Sequence, residues 1–167
     1  MADAVETSET EWHERFNPGG VVYGVLAIAT VIAAESTRRE TFAKLLAGSL
    51  VALALYWAAH AYSHHWASRL TRAGEWSLNE LGVSLAYEAS ILAGAVVPTA
   101  VLVIAWLAGA DIQSGVTAVL WSAGVELVVL EIAAGLRRRC SIRDLAVQTA
   151  IGLSMGLGIL GLRILLH

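Results

Sequence analysis

The chain has 167 residues, of which 57% are hydrophobic and only 15% charged. A soluble domain of this size carries roughly a quarter charged residues, and here the deficit falls in long charge-free runs, which excludes an ordinary water-soluble fold. A net charge of −3 leaves no basic footprint for nucleic acid, and the single cysteine, Cys140, excludes an internal disulfide.

Residues 1–17 read as an acidic tail, with Asp3, Glu6, Glu9, Glu11 and Glu14 against Arg15. That is the reverse of the basic start of a secretory signal, so the first apolar segment is expected to be retained. Trp12 and Phe16 can lie at the membrane surface, and Asn17-Pro18-Gly19-Gly20 is a turn signal. Residues 18–167 read as one all-α transmembrane domain.

Five spans are expected. Span one is Pro18–Glu35, and Phe16 to Ala34 is free of charge. Nineteen residues at ~1.5 Å each just cover a hydrocarbon core of ~30 Å. A polar connection follows, in which Ser36 or Thr37 can cap the next helix with Glu40 as its acidic partner. Span two is Thr41–Arg69, and Leu45–Ser68 holds no Lys, Arg, Asp or Glu. Its second half is aromatic and rich in histidine: Tyr56, Trp57, His60, Tyr62, His64, His65 and Trp66. Ser77-Leu78-Asn79-Glu80 can cap span three, Leu81–Ala108, in which Pro98 removes a backbone hydrogen bond and permits a kink near Gly94. Gly109–Gly115 is a polar turn. Span four, Val116–Leu136, carries Glu126 and Glu131. Arg137, Arg138, Arg139 and Arg143 form the most basic stretch, and span five is Ile142–Leu166. Its Gly152, Gly156, Gly158 and Gly161 make a small-residue stripe suited to helix contact, within the bundle or in a homodimer.

Residues 32–49 align with 132–149 without gaps: Ile32-Ala33-Ala34 with Ile132-Ala133-Ala134, Arg38-Arg39 with Arg138-Arg139, Thr41 with Ser141 and Leu45 with Leu145. Spans one and two, and spans four and five, would then be inverted-topology hairpins around span three. Chance identity in an Ala- and Leu-rich chain gives the same alignment. On parity, seven Lys and Arg lie on the side of the N-terminus and four on the other, which favours a cytoplasmic N-terminus, although the first helix alone, followed by the basic turn, argues the reverse.

Three of the five histidines fall within His60–His65. Ionisable groups at membrane depth are costly, so they mark a candidate site. The end of span two, the start of span three and the end of span four share one side, which brings His60, His64, Glu88, Glu126 and Glu131 to similar levels. His60 and His64 are four apart on one helical face, and with Glu88 they form a candidate metal set for Zn, Fe or Mn. The same five residues can relay protons as a channel or transporter for a small cation, since His titrates near neutrality. A channel or transporter for a small cation, proton or divalent metal, is therefore the expected function; the alternative is a non-catalytic subunit or scaffold in which these groups only hold helices together, its protein partner bound through residues 137–143 or the acidic tail. His65, facing away from His60 beside Trp66, is expected at the membrane surface.

His60-x-x-x-His64-His65 resembles one histidine box of membrane di-iron desaturases and hydroxylases. That chemistry uses several boxes, and the other histidines here are His13 and His167, outside the spans. No CxxC, GxSxG, P-loop or HExxH pattern occurs, so no enzyme is indicated. The composition is similar to that of small bacterial inner-membrane proteins.

Overall fold

The computed structural model describes residues 17–34, 41–72, 77–138 and 141–166. Residues 1–16 of the acidic tail, Glu35, the Ser36/Thr37–Glu40 cap, Arg139 and Cys140 lie outside the described residues. The described chain is helical, with no strand among these residues. The helices are α1 (Pro18–Ala34), α2 (Phe42–Arg72), α3 (Leu78–Tyr87), α4 (Ser90–Gly94), α5 (Val96–Leu107), α6 (Ile112–Arg137) and α7 (Ile142–Leu166). By length and composition α2 and α6 can each cross a membrane, and α3 to α5 make a third crossing if taken as one segment bent by 43°. α1, with 17 residues, is a shorter apolar helix.

The helix ends follow from local chemistry. Thr41 Oγ1 accepts from the Lys44 amide at 3.3 Å and sets the start of α2. Ser141 does the same for α7, its Oγ accepting from the Asp144 amide at 3.2 Å and donating to the Asp144 carboxylate at 2.7 Å. Ser77 stands at the N-cap of α3 but its hydroxyl makes no capping bond. α5 ends with Gly109 at φ 74°. There the Ala110 amide bonds the Ala105 carbonyl and the Gly109 amide the Trp106 carbonyl, a Schellman closure that needs the left-handed residue. α6 begins at Ile112, earlier than Val116, because Asp111 caps it. The Asp111 carboxylate accepts from the Ser114 hydroxyl at 2.6 Å and the Ser114 amide at 2.9 Å.

The third crossing is broken twice. Pro98 has no N–H for the Gly94 carbonyl, and the segment bends between α4 and α5. At the other break, Ala89, Ile91 and Leu92 all make tightened bonds, to Ala86, Glu88 and Ala89.

α4 lies directly on α1. A Cβ on Gly24 would fall on the Ile91 carbonyl, one on Gly94 on the Val21 carbonyl, and one on Gly20 on the Ser90 hydroxyl. Gly20-x-x-x-Gly24 thus meets Ser90-x-x-x-Gly94, backbone against backbone. Val25, Ile28, Ala29, Ile32 and Ala33 follow on the same helix, fully buried against Ile91, Ala95, Val116, Val119 and Ala123. α1 packs against every other crossing segment, whereas the bent segment packs mainly on α1, α2 and α6. The centre is therefore α1 together with the bent segment, where the repeat pattern had placed span three alone. α7 lies outside, on α6 and α1, with Gly156 over Gly124. Phe42 stacks on Trp106 at 6.3 Å and fills the space over Gly115, tying the start of α2 to the α5–α6 turn.

Two outcomes follow from these contacts. Gly24→Val must separate α1 from α4 and is expected to lower stability by about 1–3 kcal/mol or more; Gly48→Ala, with nothing within 4 Å, should leave it unchanged or slightly raised. Unfolding in mixed micelles, followed by circular dichroism, measures both. The Ser114 hydroxyl, then its amide, hold the Asp111 carboxyl below its ordinary value of 3.8. A carboxyl lowered on folding stabilises above its unfolded pKa, and that contribution is lost as pH falls through the lowered value. The stability gap between wild type and Asp111→Ala should therefore be widest near neutrality and narrow steadily in acid.

Candidate functional site in the histidine-bearing half of the bundle

The buried face of α2 runs through Phe42, Leu45, Ser49, Leu53, Ala61 and His65, with Trp57 partly buried between them. From Leu45 on, the spacing is four residues, so the stripe winds slowly round the helix as it follows its neighbours. His65 lies on the stripe and is 1% exposed. Its expected place at the surface is corrected: the face turned away from His60 is the one that packs. Neither ring nitrogen of His65 has a hydrogen-bond partner among the described residues.

His60 and His64 flank the stripe and part company. His60 is half-buried between Tyr23 of α1, at 5.2 Å between ring centroids, and Tyr56 one turn earlier, at 5.6 Å. His64 is exposed and stacks on Tyr87 of α3 at 5.3 Å. Their four-residue spacing is real, but each ring is taken up by a different aromatic neighbour.

Glu88 is 2% exposed, at the first break of the bent segment. Its Oε2 accepts from Asn17 Nδ2 at 3.1 Å, a bond between residues 71 apart in sequence. The same break turns the Ala89 amide to Ala86 and away from Leu85. Trp57 Nε1 donates to the Leu85 carbonyl at 3.1 Å, so the indole satisfies the group the break releases. Glu126 and Glu131 are on α6. Glu126 is half-buried, and its enclosed Oε2 has no hydrogen-bond partner among the described residues. The Glu131 chain lies over Gly152 of α7, where a Cβ would stand 3.0 Å from its Cγ.

The metal set His60, His64 and Glu88 is not assembled. Among the described residues, no three of His, Cys, Asp and Glu stand where they could hold one ion. The depth argument placed the groups at similar levels, but level fixes only one coordinate. The direction round each helix sends His60 to α1, His64 to α3, Glu88 to Asn17 and Glu131 to α7. Sequence reasoning missed Asn17, Tyr23 and Tyr87 as the partners of these groups. The usable signal was Tyr56 four residues before His60, the spacing at which helical neighbours touch.

Beside the Tyr23–His60–Tyr56 cluster an open groove of about 450 Å³ runs between α1 and α2. A second, of about 190 Å³, lies between α6 and α7 and is apolar apart from the indole of Trp121.

No known protein family, curated protein or solved structure matches the chain.

Trp57→Phe keeps the aromatic bulk and leaves the Leu85 carbonyl unmet; Glu88→Ala strands the Asn17 amide. Each is expected to cost about 0.5–2 kcal/mol, with Glu88→Gln close to wild type because an acceptor remains. Unfolding midpoints in mixed micelles read all three.

Proposed function

We propose that the protein is a five-span membrane protein that acts as a non-catalytic subunit or scaffold, its polar residues serving to lock helices together. The observation that carries this reading is the Asn17–Glu88 bond. The carboxylate held deepest in the bundle is spent on fixing the start of α1 to the break between α3 and α4. Trp57 does the same between α2 and α3.

Five crossings require α1 and α7 to be spans beside α2, α6 and the bent segment. The 25-residue length of α7 supports this. The charge-free run Phe16–Ala34 supports it for α1, which its neighbour Asn17 extends toward the surface. The hairpin repeat is supported by the shared start of α2 at Phe42 and α7 at Ile142, each preceded by a hydroxyl residue that accepts from the third amide along. The Lys and Arg count supports a cell-membrane protein with its N-terminus in the cytoplasm. Arg137, Arg138 and Arg143 would then face a cytoplasmic partner at the α6–α7 turn.

A second reading, conduction of protons, is favoured by one observation: Glu126 Oε2, on α6, is enclosed without a hydrogen-bond partner among the described residues. Flux measured in liposomes separates the two. Purified protein, reconstituted beside a His60→Ala/His64→Ala variant and a Glu126→Gln variant, is read with a pH-sensitive dye and with a Zn²⁺/Mn²⁺-sensitive dye. The scaffold reading expects flux equal to empty liposomes for all three proteins. Proton flux lost in Glu126→Gln would overturn it in favour of conduction, and metal flux lost in the histidine variant would restore a cation site.

A further inference from the structure

We infer that α3 is a hinged lid over His65 and Arg69, closed in this structure, which pivots at the Glu88–Ala89 break and opens both side chains to water. This goes beyond the scaffold reading, in which α2 and α3 are simply locked together.

The two sides of the break pack on different helices. α3 lies mainly on α2, whereas α4 lies on α1 and is fixed there by the Gly20, Gly24 and Gly94 contacts. Between them the Ala89, Ile91 and Leu92 amides each bond a carbonyl three residues back. Tightened bonds of that kind inside a longer helical segment mark a hinge. The fastenings of α3 all lie at its hinge end: the Trp57 indole on the Leu85 carbonyl, His64 stacked on Tyr87, and Asn17 on Glu88. The outer end is loose. Ser77 makes no capping bond, and Leu78 and Val83 are 69% and 63% exposed. Among the described residues, no hydrogen bond or ion pair joins residues 78–84 to α2.

What the lid covers makes closing costly. His65 is buried with both ring nitrogens unmet, and one turn further along the same face the Arg69 Nε is enclosed and unmet as well, among the described residues. α1 does not reach Arg69. Tyr23 stands against His60, and the five residues back to Pro18 rise ~7.5 Å, to about the level of His65. Beyond that level α3 is the described helix beside α2, with Tyr87 on His64 and Ser84, one turn earlier, buried on its inner face.

Polar nitrogens enclosed without a partner raise the energy of the closed arrangement, and all of them are hydrated when α3 lifts. Arg69 stands three residues from the end of α2, ~4.5 Å along the axis, so water is close at hand. Segments that open locally are those with few fastenings and a low cost of exposure, and α3 has both properties.

The test uses the full chain in nanodiscs. Diethyl pyrocarbonate, which acylates an accessible imidazole nitrogen, reads His65 by mass spectrometry, and hydrogen exchange reads the amides of α3. His64 is expected to acylate fast, and His65 more slowly but to completion. The amides of α3 should exchange about tenfold or more faster than those of α5, because opening the lid does not require global unfolding. Trp57→Phe removes the bond to Leu85 and should speed both His65 acylation and α3 exchange about fivefold to tenfold, the effect of one hydrogen bond, with His64 unchanged. His65→Leu removes the unmet ring nitrogens and should slow α3 exchange about fivefold or more. Arg69→Met clears the other unmet nitrogen, should also slow it, and serves where His65→Leu does not fold. His65 left unmodified after His64 has reacted fully, with α3 exchanging no faster than α5, overturns the inference. So does fast α3 exchange with His65 unmodified, which is fraying of the helix end alone. So does α3 exchange that His65→Leu and Arg69→Met fail to slow.

Discussion

The crossing of α1 on α4 is the contact on which the other packing depends. Inside a bilayer the tails are as apolar as leucine, so burying leucine against leucine gains little by itself. Helices are held by close van der Waals contact and by hydrogen bonds. Gly20 and Gly24 bring α1 down onto the backbone of Ser90, Ile91 and Gly94 with no side chain between. That approach lets Val25, Ile28 and Ala29 reach full burial and gives α6 a continuous face of Val116, Val119 and Ala123 to pack on. A single methyl at Gly24 would meet a carbonyl oxygen, which can move only if the helix moves with it.

The crossing in turn requires α4 to present its small residues to α1 at the right angle, and a straight helix from Leu78 to Leu107 would not do so. Pro98 bends the segment by removing one bond, and the turn at Glu88 and Ala89 offsets it again. Each break releases backbone groups into a medium that cannot hydrate them. The consequences are visible in the neighbours: the Leu85 carbonyl is met by Trp57, and the Glu88 carboxyl, turned inward at the break, is met by Asn17. Two features that look like a functional site in the sequence, an aromatic-rich helix and an intramembrane glutamate, are in part the means by which a bent helix keeps its polar groups paired.

Much of the scaffold was legible. A charge-free run located α2, the polar turns on either side bounded α6, Pro98 marked the bend, and Asp111 with Gly109 marked the α5–α6 turn, because each depends on residues close in sequence. The direction each side chain takes was not legible. The stripe that buries His65 passes through Ser49 and Ala61, residues too small and too weakly apolar to announce a packed face, whereas the pair His60 and His64 announced a site that the neighbours divide. The glycines teach the same lesson. The stripe in α7 was conspicuous, yet Gly158 and Gly161 meet nothing within 4 Å. Gly20-x-x-x-Gly24 carries the central contact, and its role depends on Ser90 and Gly94, seventy residues away, meeting it face to face.

Polar groups at membrane depth here fall into two kinds, and the difference lies in geometry more than in residue type. Glu88 and Trp57 end on a partner supplied by another helix, so their cost is met when the bundle forms, and they need nothing else. Tyr23 and Tyr56 each meet His60 ring to ring, one tilted and one stacked, and among the described residues these contacts leave the hydroxyls and ring nitrogens without a hydrogen-bond partner. Aromatic contact rewards the faces of these rings and leaves their polar edges free.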